Sequence, residues 1–193
     1  MKRVALFGGT FDPIHRGHRF IAERALAQCD LDEVVFLPCR QSPHKRDVET
    51  TSGEDRLAMV RLAIEDLAGV RASDWELQRE GVSYSWQTAE YWRTEVLSEE
   101  DQLFWILGMD QWVALSKWAR VEYLSELATF IVFPRDGEVP KAFAGRNAVF
   151  LPDAMAISAT EIRTRASLGL SLEAHVGDHV AAYVREKGLY RNA

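Results

Sequence analysis

The chain has 193 residues, 47% of them hydrophobic, and 23 basic against 29 acidic side chains give a net charge of −6. That length and apolar content predict one domain, residues 1–193, with a real core, and the acidic balance argues against a nucleic-acid partner, which wants positive surface. Two cysteines, Cys29 and Cys39, are too few for a disulfide scaffold and form no C-x-x-C pair. No leader precedes the first strand-like run and no stretch is long enough to span a bilayer, so a cytoplasmic protein without a membrane partner is expected.

A first apolar run, residues 4–7, reads as a strand and leads into Gly8 and Gly9. Paired glycines after a buried strand predict a tight turn with exposed N–H groups. Asp12 and Pro13 read as the start of a helix that carries Ile21, Ala25 and Cys29 on one face. A second strand at 34–37 is followed by an aperiodic linker, 38–55, long enough to be functional. The next helix aligns Leu57, Val60, Ile64 and Leu67, a weaker strand covers 70–75, and Ala89, Trp92 and Val96 mark a third helix. Strands at 103–107, 130–133 and 148–151 follow, with a surface excursion at 134–147 that carries Pro and Gly. A last helix, 172–187, lines up Leu172, Val176, Val180 and Tyr183 or Val184, and Gly188 is placed to cap it. Most of the strand runs are apolar throughout, as in strands buried on both faces. Their alternation with helices predicts an α/β fold: a Rossmann-like, doubly wound parallel sheet in three layers, α/β/α, with a small helical part over 157–193. In such sheets ligands lie beyond the carboxyl ends of the strands, where the strand order reverses.

The chemistry concentrates in residues 8–18, G-G-T-F-D-P-I-H-R-G-H. His15 and His18, three apart, can share one face at a helix N-terminus, where N–H groups and imidazoles together suit a phosphate chain. The spacing is neither G-x-G-x-x-G nor G-x-x-x-x-G-K-[ST], which argues against a redox dinucleotide site and against a P-loop. A second helix start lies at 157–163, I-S-A-T-E-I-R. Ser158 and Glu161 have capping-box spacing, the Thr160 hydroxyl falls at the positive end of the dipole, and Arg163 can fork onto a phosphate. Taken alone, an ordinary capped helix with a solvated arginine explains that segment.

Gly108-Met109-Asp110 puts a carboxylate just past a strand, suited to ribose hydroxyls or to capping the next helix. Trp118 offers a flat indole for stacking on a ligand, or simply a core side chain. His44-Lys45-Arg46 can close over phosphates or stand as a solvated basic patch. His175 and His179, four apart, have metal-ligand spacing without a suitable third ligand, and read as structural or surface residues.

Together these residues resemble the nucleotidyltransferase superfamily with the H-x-G-H signature, here His15-Arg16-Gly17-His18, and its second hallmark I-S-x-T-x-[IV]-R, here 157–163. Within it the chain is most similar to the bacterial nicotinate-mononucleotide adenylyltransferases, through G-G-T-F-D-P-I-H at 8–15, P-H-K at 43–45, S-Y-S-W-Q-T at 83–88, G-M-D at 108–110, K-W at 117–118 and G-L-Y at 188–190. Ser42 replaces the first proline of the family's P-P-H, Ser85 replaces a threonine, and Pro134-Arg135-Asp136-Gly137 stands where R-P-G is usual.

The resemblance implies adenylyl transfer from ATP to nicotinate mononucleotide, with pyrophosphate leaving and Mg²⁺ arriving with ATP rather than on a protein metal site. It assigns ATP to Gly8, Gly9, Thr10, Phe11, His15, His18, Gly108, Asp110, Ile157, Ser158, Thr160 and Arg163. Among these, His15, His18 and Arg163 meet the reacting phosphates. It assigns the mononucleotide to Thr10, Lys45, Ser85, Thr88, Asp110, Trp118 and Ala119, with the ring near Trp118 and its carboxylate on backbone amides around Ser85 and Ala119. The same chemistry on nicotinamide mononucleotide or phosphopantetheine is the nearest alternative, and a nucleotide-binding module without turnover is an alternative of another class. A homo-oligomer is compatible with all of these.

Overall fold

The computed structural model describes residues 1–43, 49–134, 146–152 and 157–191. Its centre is a six-stranded sheet in the order β3-β2-β1-β4-β5-β6, with every neighbouring pair parallel. The strands are β1 (Arg3–Gly9), β2 (Glu33–Pro38), β3 (Val70–Ala72), β4 (Gln102–Gly108), β5 (Thr129–Phe133) and β6 (Ala148–Phe150). The chain winds outward from β1 to β3, then returns to lay β4 against the other side of β1. This is the doubly wound order, and its switch point falls between β1 and β4.

The apolar runs are explained by burial on both faces. Ala5, Phe7, Val34 and Phe36 point into one core, while Val4, Leu6, Val35 and Leu37 point into the other. The first core is covered by α1 (Arg16–Gln28), α2 (Gly53–Ile64), α6 (Ala159–Ser167), α7 (Glu173–Val176) and α8 (Asp178–Lys187). The second is covered by α3 (Ser85–Tyr91), α4 (Met109–Val113) and α5 (Val121–Leu127).

Four local expectations shift. The weak strand at 70–75 pairs only over Val70–Ala72, because the chain turns away once Ser73 N–H has bonded to Phe36 O. Helix α1 begins at Arg16, one turn later than Asp12-Pro13 suggested. Trp92–Val96 forms a π turn at the end of α3; the wider turn rotates Val96 off the buried face, leaving it 45% exposed. The final helix is two, broken where Gly177 takes φ 85°, while Gly188 caps α8 at φ 63° as expected. No helix among the described residues is long and apolar enough to cross a membrane.

Candidate active site

β1 delivers Gly8 and Gly9 to the switch point, where β4 ends in Gly108 on the neighbouring strand. The two glycines make no turn themselves. They stay in register with Leu37 and Pro38 as the last residues of β1, and the turn comes at Phe11, at φ 50°. Glycine is needed for close approach instead: a Cβ on Gly9 would stand 2.9 Å from the Phe11 ring, and one on Gly8 3.0 Å from the Trp105 indole. The Phe11 ring is buried against Phe7, Phe36 and His18, so its side chain belongs to the core and its backbone borders the loop.

The loop from Thr10 to Asp12 is shaped by distant residues. Arg56, only 1% exposed, donates from Nη1 to Thr10 O at 2.7 Å, from Nη2 to Cys39 O at 2.8 Å and from Nε to Thr51 O at 2.9 Å. One guanidinium thereby ties the ends of β1 and β2 to the start of α2. Arg163 donates from Nη1 to Asp12 O at 2.8 Å and from Nη2 to Thr160 Oγ1 at 3.2 Å. The start of α6 is thereby bonded to the loop before α1.

His15 occupies the N-cap of α1 in extended conformation, and His18 lies one turn on. Their rings stack with centroids 3.7 Å apart and planes 22° from parallel. His15 N–H donates to His18 Nδ1 at 3.2 Å. With Nδ1 accepting, the neutral His18 ring carries its proton on Nε2 and presents a donor there. Burial, and then the neighbouring His15, holds the His18 pKa well below 6.5. At neutral pH the unliganded ring is uncharged.

At α6, Ser158 is the N-cap, yet among the described residues its side chain makes no capping bond. Glu161 does not fold back as a capping box requires; it stands 3.6 Å from His175 Nε2 of α7. A tertiary partner outcompetes the local one, and the first turn of α6 is left without its box. Ile157 packs on the first core. His179 pairs with Glu65, so the two C-terminal histidines serve different partners, in keeping with a structural reading.

On the other face, Gly108 caps α4 and Asp110 lies in its first turn, so Asp110 is not the N-cap. Trp118 follows the 3₁₀ turn Leu115–Lys117, half-buried against the second core, and Ala119 is exposed beside it. Ser85 opens α3. Thr88 is 1% exposed and donates to Glu76 Oε1 at 2.7 Å, and both line a small pocket with Ser83, Tyr84 and Gln87. Burial pushes the Glu76 carboxyl pKa up, against the opposing pull of the Thr88 and Ser83 hydroxyls. Lys45 lies outside the described residues, as do His44 and Arg46. Among the described residues no three His, Cys, Asp or Glu side chains gather as a metal group.

Sequence reasoning missed Arg56 and Glu76, the buried polar groups beneath the site, and took Tyr190 only as part of G-L-Y, without a role. Arg56 left one signal, a charge directly preceding the apolar stripe that begins at Leu57.

Known proteins share this family and fold. The cytidylyltransferase-like family profile matches residues 6–165. A probable nicotinate-nucleotide adenylyltransferase of Opitutus terrae is 38% identical, covering 98% of both chains. The chain belongs to the cytidylyltransferase-like family, in its nicotinate-nucleotide adenylyltransferase branch. A second nicotinate-nucleotide adenylyltransferase, from Desulfatibacillum aliphaticivorans and also named as probable, is 36% identical over 97% of this chain and 99% of its own. Among solved structures, Plasmodium falciparum nicotinic acid mononucleotide adenylyltransferase complexed with NaAD superposes with a TM-score of 0.81 at 18% identity, over 100% of this chain and 99% of that one. The same enzyme complexed with APC gives 0.77 at 17% identity, again over 100% and 99%. At those identities the likeness is one of fold, and it extends the adenylyltransferase architecture over the full chain.

Proposed function

We propose that this protein joins the phosphate of nicotinate mononucleotide to the adenylyl group of ATP, forming the deamido dinucleotide used in NAD synthesis. One observation carries the reading: two stacked imidazoles stand at a helix N-terminus on the switch point of the sheet, across from Arg163. That is a concentration of donors suited to a polyphosphate.

A phosphate oxygen of the mononucleotide attacks the α-phosphorus of ATP in line. The bond from the α-phosphorus to the bridging oxygen of the β-phosphate breaks, and pyrophosphate leaves with that electron pair. His18 Nε2–H and His15 meet the charge that grows on the α-phosphate, and Thr160 and Arg163 hold the departing phosphates. Gly8, Gly9, Thr10 and Phe11 line the nucleotide with backbone, and Asp110 takes ribose hydroxyls. Trp118 stacks on the pyridine ring, while backbone amides at Ser85 and Ala119 receive its carboxylate. Mg²⁺ would arrive with ATP and would supply positive charge against the phosphates, with no protein side chain assigned to hold it. Catalysis is positioning plus charge stabilisation, without a covalent enzyme intermediate. The cytoplasm, where ATP is abundant, is the compartment this reading fits.

Pyrophosphate release, measured with ATP and in turn nicotinate mononucleotide, nicotinamide mononucleotide and phosphopantetheine, tests it. Release is expected with the nicotinate form above the others. No release with any acceptor overturns the reading, and a preference for another acceptor moves the chain to that substrate.

A further inference from the structure

Asp12 lies midway along the loop that leads from Gly9 to His15, and three remote segments close on it. Its Oδ1 accepts the Tyr190 hydroxyl at 2.6 Å, its Oδ2 accepts Thr51 N–H at 3.2 Å, and its carbonyl accepts Arg163 Nη1 at 2.8 Å. The side chain is 8% exposed, so these bonds are its environment rather than a surface accident. Tyr190 reaches it because the chain doubles back after α8. Gly188 takes φ 63°, Leu189 N–H returns to Val184 O at 3.0 Å, and Tyr190 itself adopts φ 63°. A non-glycine residue held in the left-handed region costs energy, which the surrounding contacts must over-determine. Leu189 and Tyr190 pack on the first core and supply those contacts.

We infer that Tyr190 is a positioning residue of the phosphate site, acting through Asp12 on the loop that aims His15 and holds Arg163. This rests on the function proposed above and adds a part to it. The hydroxyl is suited to the task because burial, together with the Asp12 carboxylate, raises its pKa far above the usual phenol range. It stays a donor at any physiological pH. Without it, Asp12 Oδ1 loses its protein donor and the carboxylate is free to turn toward water. The carbonyl that receives Arg163 belongs to the same residue and turns with it. The resulting displacement reaches His15 through three peptide units, and sub-ångström errors in aim are expensive in phosphoryl transfer.

The test is Tyr190→Phe, made both in the native protein and in an Asp12→Asn background. Pyrophosphate release is followed with ATP varied and then with the mononucleotide varied, alongside thermal unfolding. The inference expects kcat/KM for ATP to fall about tenfold, the scale of one lost bond to a charged group, while KM for the mononucleotide holds. In the Asp12→Asn background the same change should cost less than about twofold, because the path through Asp12 is already broken. A lowered Tm with unchanged kinetics shows a purely structural tyrosine and overturns the inference. An equal tenfold loss in both backgrounds overturns the route through Asp12. Native protein that releases no pyrophosphate overturns the functional reading itself, and this inference falls with it; native protein that turns over while Tyr190→Phe matches it overturns this inference alone.

Discussion

Arg56→Met removes the guanidinium under the loop and keeps an apolar stem as far as the position of Nε, whose flexible thioether fills part of the space. Three carbonyls, on Thr10, Cys39 and Thr51, lose their donor. A hydrogen bond to a charged group contributes about 1.5–3 kcal/mol. The losses are not additive. The bond to Cys39 is buried, whereas those to Thr10 and Thr51 are only part-buried, so water can reach the latter two carbonyls. The net loss is therefore about 3–5 kcal/mol, the range for breaking a buried network. At about 2–4 °C per kcal/mol for a chain of this size, Tm should fall by roughly 6–20 °C. Urea unfolding followed by tryptophan fluorescence, with six indoles as reporters, should show a lower midpoint at unchanged m. Arg56→Lys keeps the charge but lacks a planar fork for three carbonyls, so it should lose nearly as much. A Met variant within about 1 kcal/mol of the native protein refutes the argument. A fully stable Lys variant shows that charge, not the three-way tie, is what the site needs.

Binding of a non-hydrolysable ATP analogue should draw in protons near pH 6.5, because phosphates raise the depressed pKa of His18; a calorimetric enthalpy identical in buffers of different ionisation heat excludes this. In the free protein the sign is fixed by the same group. As pH falls below about 6.5, the unfolded chain accepts a proton that folded His18 refuses, so its contribution to stability declines until the lower folded pKa is passed. Glu76 runs the opposite way: its raised carboxyl pKa means stability is lost as pH rises from the unfolded value through the folded one. Glu76→Gln keeps an acceptor for Thr88, so its Tm relative to the native protein should rise as pH climbs above the ordinary carboxyl range; a difference that does not change with pH counts against a charged, desolvated Glu76. Arg163→Ala should cut kcat/KM for ATP about a hundredfold while lowering Tm by no more than about 4 °C; a large fall in Tm with ATP use intact restores the plain capped helix.

Strand positions were legible because parallel strands covered on both faces leave unbroken apolar runs, as at Ala5–Leu6 and Val34–Val35. The H-x-G-H segment was legible because two histidines and paired glycines have few other uses at that spacing. What escaped was decided by contacts remote in sequence. Glu161 had the right local partner in Ser158 and chose His175 instead. Gly177 sits within an intact amphipathic stripe, and only its φ of 85° breaks the helix. Phe11 takes the left-handed turn that the glycines seemed built for, because its ring gains a buried place beside Phe7 and Phe36. Arg56 and Glu76 are polar residues buried by tertiary packing, Tyr190 is half-buried by it, and periodicity reports only apolar residues.

The sheet also works as a partition. The histidines, Arg56, Arg163 and Tyr190 sit on helices and turns of one core, whereas Ser85 opens α3 and Trp118 packs against the other, with Glu76 bonded to Thr88 of α3. The side chains proposed to grip the triphosphate thus gather mainly over the first core and those proposed for the acceptor mainly over the second, and the two sets meet at Cys39, which faces both Arg56 and Glu76. Such a layout lets acceptor preference drift by repacking one side, while the machinery that grips the triphosphate is left alone.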